Sequence, residues 1–100
     1  MKYKSDIEKM QVALEEAKKA LEIDEVPIGA ALFDNDDKLI TKAHNRREID
    51  QDPTAHAEIL CIRKACKKLN QKRLDSLIMI SYLEPCNMCK EAIKSSRLSE

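Results

Sequence analysis

Hydrophobic positions near the start of the chain recur every three or four residues, at Ile7, Met10, Leu14, Ala17 and Leu21. That period predicts an amphipathic helix. Ser5 followed by Glu8 forms a capping box ahead of the pattern and sets the helix start. Pro27 and Gly29 end the helical spacing. Beyond them "IGAALF" (28–33) and "KLITKA" (38–43) flank the polar turn "DNDD", which predicts two strands of a hairpin. A polar loop, "HNRREIDQDP" (44–53), comes next. Helical spacing then resumes from about Ala55 to Leu69 and stops near Asn70, and "SLIMISY" (76–82) has the apolar density of a buried strand. Pro85 opens a short third helix. Strands interleaved with helices predict an α/β fold, with helices packed on a mixed sheet. There is no repeat, low-complexity tract or interdomain linker, so residues 1–100 are read as a single domain.

Composition narrows the class. Charged residues make up 36% and hydrophobic ones 43%, with zero formal net charge, the balance of a globular chain and not of a disordered one. The longest apolar runs are too short to span a bilayer, and "MKYKSDIEKM" lacks the apolar stretch of a signal peptide, so the expected compartment is the cytosol, with no membrane partner. Reducing surroundings make disulfides uncommon and turn attention to metal or redox chemistry at cysteine. Of the four cysteines, Cys86 and Cys89 form a C-x-x-C pair. Cys61 and Cys66 lie five apart on a helix, share no face, and are read as core residues or idle thiols.

"PTAHAEIL" (53–60) places His56 and Glu58 in the first turn of the second helix. The plain reading is that Thr54 caps that helix and the acid suits its dipole. The "PCNMC" segment changes the balance. Cys86 and Cys89 are neighbours on one helical face, at a helix start that favours thiolates. With His56 as a third ligand they would bind one zinc per chain and leave the fourth tetrahedral position to water, the open coordination of a catalytic metal. Glu58, two residues from a ligand, would then move protons between that water and a substrate. H-x-E followed by P-C-x-x-C is the signature of zinc nucleobase deaminases, and "HAE" with "PCNMC" matches it, proline included.

On "EVPIGA", "AHNRRE", "DPTAHAEI" and "LEPCNMC", in that order and spacing, the chain resembles the bacterial tRNA-specific adenosine deaminases over nearly its whole length. The resemblance implies a cytidine-deaminase-like three-layer α/β/α fold and a homodimer. It implies hydrolytic conversion of adenosine to inosine at the wobble position of the tRNA anticodon. By the same resemblance His56, Cys86 and Cys89 hold zinc, Glu58 shuttles protons, and Asn45 helps hold the flipped adenine. Ile28, Ala57 and Pro85 would line the pocket. Family members continue past the third helix with further strands and a helix, so the expectation is a C-terminally truncated domain. Tyr82, Lys90 and Glu91 depart from the small residues usual at those places.

Charge adds little about partners. Residues 51–100 hold nine Lys and Arg against six acids, which permits an RNA-facing surface and equally describes a solvated helix face. Arg46 and Arg47, beside Asn45, are better candidates for phosphate contact. Two other readings stay open: a free-base deaminase acting on guanine or cytosine, and a catalytically inactive zinc-binding module.

Overall fold

The computed structural model describes residues 2–81 and 86–98. Its elements run α1 (Asp6–Glu22), β1 (Gly29–Phe33), β2 (Leu39–His44), α2 (Ala57–Leu69), β3 (Ile78–Ser81) and α3 (Asn87–Ser96). The strand order is β2-β1-β3, with β1 in the centre. Ala30 pairs with Ala43 on one side and Ser81 on the other, and both ladders are antiparallel. The sequence led to a mixed sheet, and the three described strands differ for a topological reason. β2, α2 and β3 form a parallel crossover, but β1 lies between its two strands, so the parallel pair never shares a ladder.

Alternation along β1 divides the interior into two layers. Ala30 and Leu32 face α2 and α3 in a cluster with Ala57, Cys61, Ala65, Leu74, Met79 and Ile93. Ala31 and Phe33 face α1 with Val12, against Tyr3, Leu39 and Ile80. Both faces of β1 are therefore covered, which is why "GAALF" is a continuous apolar run and all five residues are buried. This is the three-layer α/β/α arrangement.

Helix α1 starts where its cap directs, the Ser5 hydroxyl oxygen accepting from the Glu8 amide at 3.1 Å. Its inward face differs from the one the sequence pattern indicated. Lys9, Val12, Ala13, Glu16, Ala17 and Ala20 are buried. Ile7, Met10 and Leu21 are 74%, 39% and 61% exposed. Gly29 supplies the reason. A Cβ there would strike the Ala13 carbonyl oxygen and stand 2.6 Å from the Ala17 amide nitrogen, so the helix backbone rests on the strand. Only small side chains fit that seam, and the larger apolar ones turn outward. Lys9 is accommodated because its ammonium reaches Asp37 at 2.8 Å and lies 5.6 Å over the Phe33 ring. Gly29→Ala is expected to destabilise the fold by about 3 kcal/mol, since backbone cannot give way as a side chain can. Chemical denaturation of the purified variant measures it.

The opposite face positions the site. Helix α2 begins with His56 at its N-cap and ends at Asn70, which is left-handed at φ 52°. Helix α3 lies beside it, held by Ile93 in the core and by the Leu74 amide donating to the Ser96 carbonyl at 2.6 Å. Among the described residues, no helix is long and apolar enough to cross a membrane.

Candidate metal centre

His56 and Cys86 occupy equivalent places, each the extended N-cap of its helix. The His56 ring makes no capping hydrogen bond to its own helix. Packing α2 against α3 brings the two helix starts together. Cys86 Sγ lies 3.7 Å from His56 Nδ1 and 3.6 Å from Cys89 Sγ. All three donor atoms fall within 4.8 Å of one another.

Those distances can be compared with what a metal demands. Zinc–sulfur bonds of about 2.3 Å and zinc–nitrogen bonds of about 2.0 Å at tetrahedral angles put sulfurs about 3.8 Å apart and sulfur about 3.5 Å from nitrogen. The contacts at Cys86 match both spacings within a few tenths of an ångström, so the side chains fit tetrahedral zinc. All four cysteines are free thiols.

The local electrostatics favour a cation. Burial first, and the nearby Glu58 carboxylate second, push the Cys89 thiol far above its ordinary pKa. At exposed Cys86 the opposite holds: the Cys89 amide leads in drawing the thiol below its usual value, against a smaller burial penalty, with the Met88 amide adding to it. Glu58 itself is 3% exposed in the first turn of α2. One exposed thiol, one buried thiol and a buried carboxylate gathered at two helix starts are surroundings in which a divalent cation deprotonates its sulfur donors.

The remaining residues singled out from the sequence divide by location. Asn45 is 2% exposed, and its amide donates to the Ile28 carbonyl at 3.1 Å, carrying the hairpin ladder one step beyond β2. Its side-chain Oδ1 is buried with no partner among the described residues, an orphan that calls for an explanation. The Arg46 amide donates to the Ala55 carbonyl at 3.0 Å, which brings Asn45 alongside the approach to His56. Ala57 is fully buried at the first position of α2. Pro85 lies outside the described residues, as does Tyr82. Arg46 forks onto Asp50 with contacts of 3.0–3.2 Å, whereas Arg47 is exposed.

Cys61 and Cys66 stand elsewhere. Cys61 packs under β2, where burial pushes its thiol up to about 12 and Thr41 Oγ1 sits 3.3 Å from its sulfur. Cys66 is half-buried against the same core. Replacing both with Ala is expected to leave zinc content unchanged while costing about 1 kcal/mol in stability; metal analysis beside a denaturation curve checks both halves. The sequence reading missed Glu25 altogether. It is an acid in a polar-looking segment, and nothing in its spacing marks it as 3% exposed.

One imidazole and two thiols at neighbouring helix starts, with a buried acid in the first turn of α2, are the arrangement of zinc hydrolases that act on nucleobases. Residues 3–100 match the cytidine and deoxycytidylate deaminase zinc-binding region, and the chain belongs to that family, with zinc as its cofactor. It is similar to the tRNA-specific adenosine deaminase of Aquifex aeolicus, 47% identical over 91% of this chain and 60% of that protein. It is 48% identical to the one of Bacillus subtilis, over 91% of this chain and 56% of that protein. A tRNA:A34 deaminase solved in studies of A-to-I editing superposes with a TM-score of 0.89 at 46% identity, covering 92% of this chain and 66% of that one. The guanine deaminase of Bacillus subtilis gives 0.90 at 33%, over 95% and 60%. The chain thus spans about 60% of the length of these relatives.

Proposed function

We propose that this chain is a deaminase domain that converts adenosine to inosine at the wobble position of tRNA, working as a cytosolic homodimer. The observation that carries the reading is the convergence of His56, Cys86 and Cys89 within 4.8 Å, beside buried Glu58. Bound by those three side chains, zinc supplies the Lewis acidity that makes water nucleophilic at neutral pH.

The chain's own groups do the rest. Glu58 takes one proton from the attacking water and passes it to the purine ring nitrogen, then carries the second, from the hydroxyl newly bonded to C6, to the departing amino group. The balance is adenine and water in, hypoxanthine and ammonia out. Asn45, whose buried Oδ1 has no partner among the described residues, holds the edge of the flipped base. Ile28 and Ala57 line the pocket beside it, with Pro85 as a further lining residue. Arg46 and Arg47 meet the anticodon-loop phosphates, Arg46 by exchanging Asp50 for phosphate. For the homodimer, the outer face of α2 offers a groove of about 450 Å³ lined by Leu60, Ile62 and Cys66 and rimmed by Arg63, Lys64 and Lys67.

A second reading is a guanine deaminase, because the fold superposes as well on such an enzyme as on a tRNA deaminase. Sequence identity favours the tRNA substrate, 46% against 33%. The test offers zinc-loaded protein a wobble-adenosine anticodon stem-loop and, separately, free guanine. Inosine without xanthine supports the tRNA reading; xanthine without inosine overturns it.

A further inference from the structure

We infer that Glu25 is a positioning residue for the polynucleotide side of this site, capping from outside the turn that carries Arg46 and Arg47. The inference rests on the tRNA reading above. Between Asn45 and His56 the chain forms a run of hydrogen-bonded turns, the first closed by the Asp50 amide donating to the Arg46 carbonyl at 2.9 Å. The amides of Glu48 and Ile49 fall inside that first turn, where no carbonyl of the turn can reach them. Glu25 accepts both. Its Oε1 takes the Glu48 amide at 3.1 Å and its Oε2 the Ile49 amide at 2.7 Å. The carboxylate is held in turn, because the Glu25 amide donates to the Ala20 carbonyl at the end of α1 at 2.9 Å.

Two charge-assisted bonds from consecutive amides leave the turn little freedom to rotate. The same turn continues through Asp52, whose Oδ1 accepts from the Thr54 amide at 2.8 Å and hydroxyl at 2.7 Å, into His56. One buried acid therefore ties α1 to the segment between Asn45 and the metal centre. Electrostatics alone points the other way, since a carboxylate near Arg46 repels phosphate. Salt at physiological strength weakens that repulsion on the solvent side of the turn, where a phosphate would sit. The two roles predict opposite signs.

The experiment uses the full zinc-loaded chain and compares it with Glu25→Ala and Glu25→Gln. Stem-loop affinity is measured across a salt series, with amide exchange followed at Glu48 and Ile49. Glu25→Ala should weaken binding about tenfold and flatten the slope of log affinity against log salt by about one, as loss of a phosphate contact does. It should speed exchange at both amides while zinc content stays at the parent level. Glu25→Gln, with one acceptor oxygen left, should fall between and carries the test if the alanine variant does not fold. Unchanged or tighter binding in variants of a parent that binds RNA overturns the inference and leaves the tRNA reading standing. If the parent binds no stem-loop, the tRNA reading falls, and unchanged exchange at Glu48 and Ile49 would overturn the cap as well.

Discussion

Glu58→Gln is expected to fold, to carry zinc at the parent level, and to lose inosine formation by about 10⁴-fold, the upper end of what an acid–base group contributes. Glutamine keeps the shape of the side chain in a position that is 3% exposed, so the packing of α2 on the sheet survives. What it lacks is a site that can take a proton and give it back. A structural role for Glu58 predicts the reverse pattern. An acid in the first turn of α2 interacts with the helix dipole, and removing that charge costs about 0.3–1 kcal/mol without touching turnover. Inosine formation, zinc content and a melting curve on the same samples separate the two, and turnover within tenfold of the parent refutes the proton-shuttle role.

His56→Ala and Cys86→Ser are each expected to reduce bound zinc from about one per chain to a trace. Loss of groups that merely orient a ligand typically costs 10–100-fold in metal affinity, so loss of one of three protein donors should exceed about 100-fold. A structural consequence should follow. His56 starts α2 and Cys86 starts α3, so a shared ion would pin the two helix starts together. In the zinc-free variants, amide exchange should rise in α3 well before it rises in β1, whose residues are all buried. Equal metal content in parent and variants, measured after dialysis against a chelator, would mean the donors have been misassigned.

The donor residues that gather at this site were legible because they are written in short spacings. Two cysteines three apart share a helical face whatever surrounds them, and the His56–Glu58 pair sits in one helix turn for the same local reason. Capping was local too, as the Ser5–Glu8 bond demonstrates. Less of the proposed substrate side could be read this way. Asn45 and Ile28 meet through a ladder bond between two strands, and only pairing sets that register.

What the sequence by itself determined, then, is the order of elements, their caps and breaks, and which residue types stand at the helix starts, because each depends on neighbours within about four positions. Tertiary structure decided everything that depends on contact across the chain. The inward face of α1 is one case: hydrophobicity pointed to Ile7, Met10 and Leu21, but Gly29 lets the helix backbone at Ala13 and Ala17 rest on the strand, and steric fit outweighed apolar area. The antiparallel ladders are another, since the place of β1 between β2 and β3 is a property of the sheet. Glu25 is the third. Its partners are amides 23 and 24 residues away, and backbone donors carry no side-chain signature, so only folding could reveal that an acid at this position holds the turn beside the metal centre.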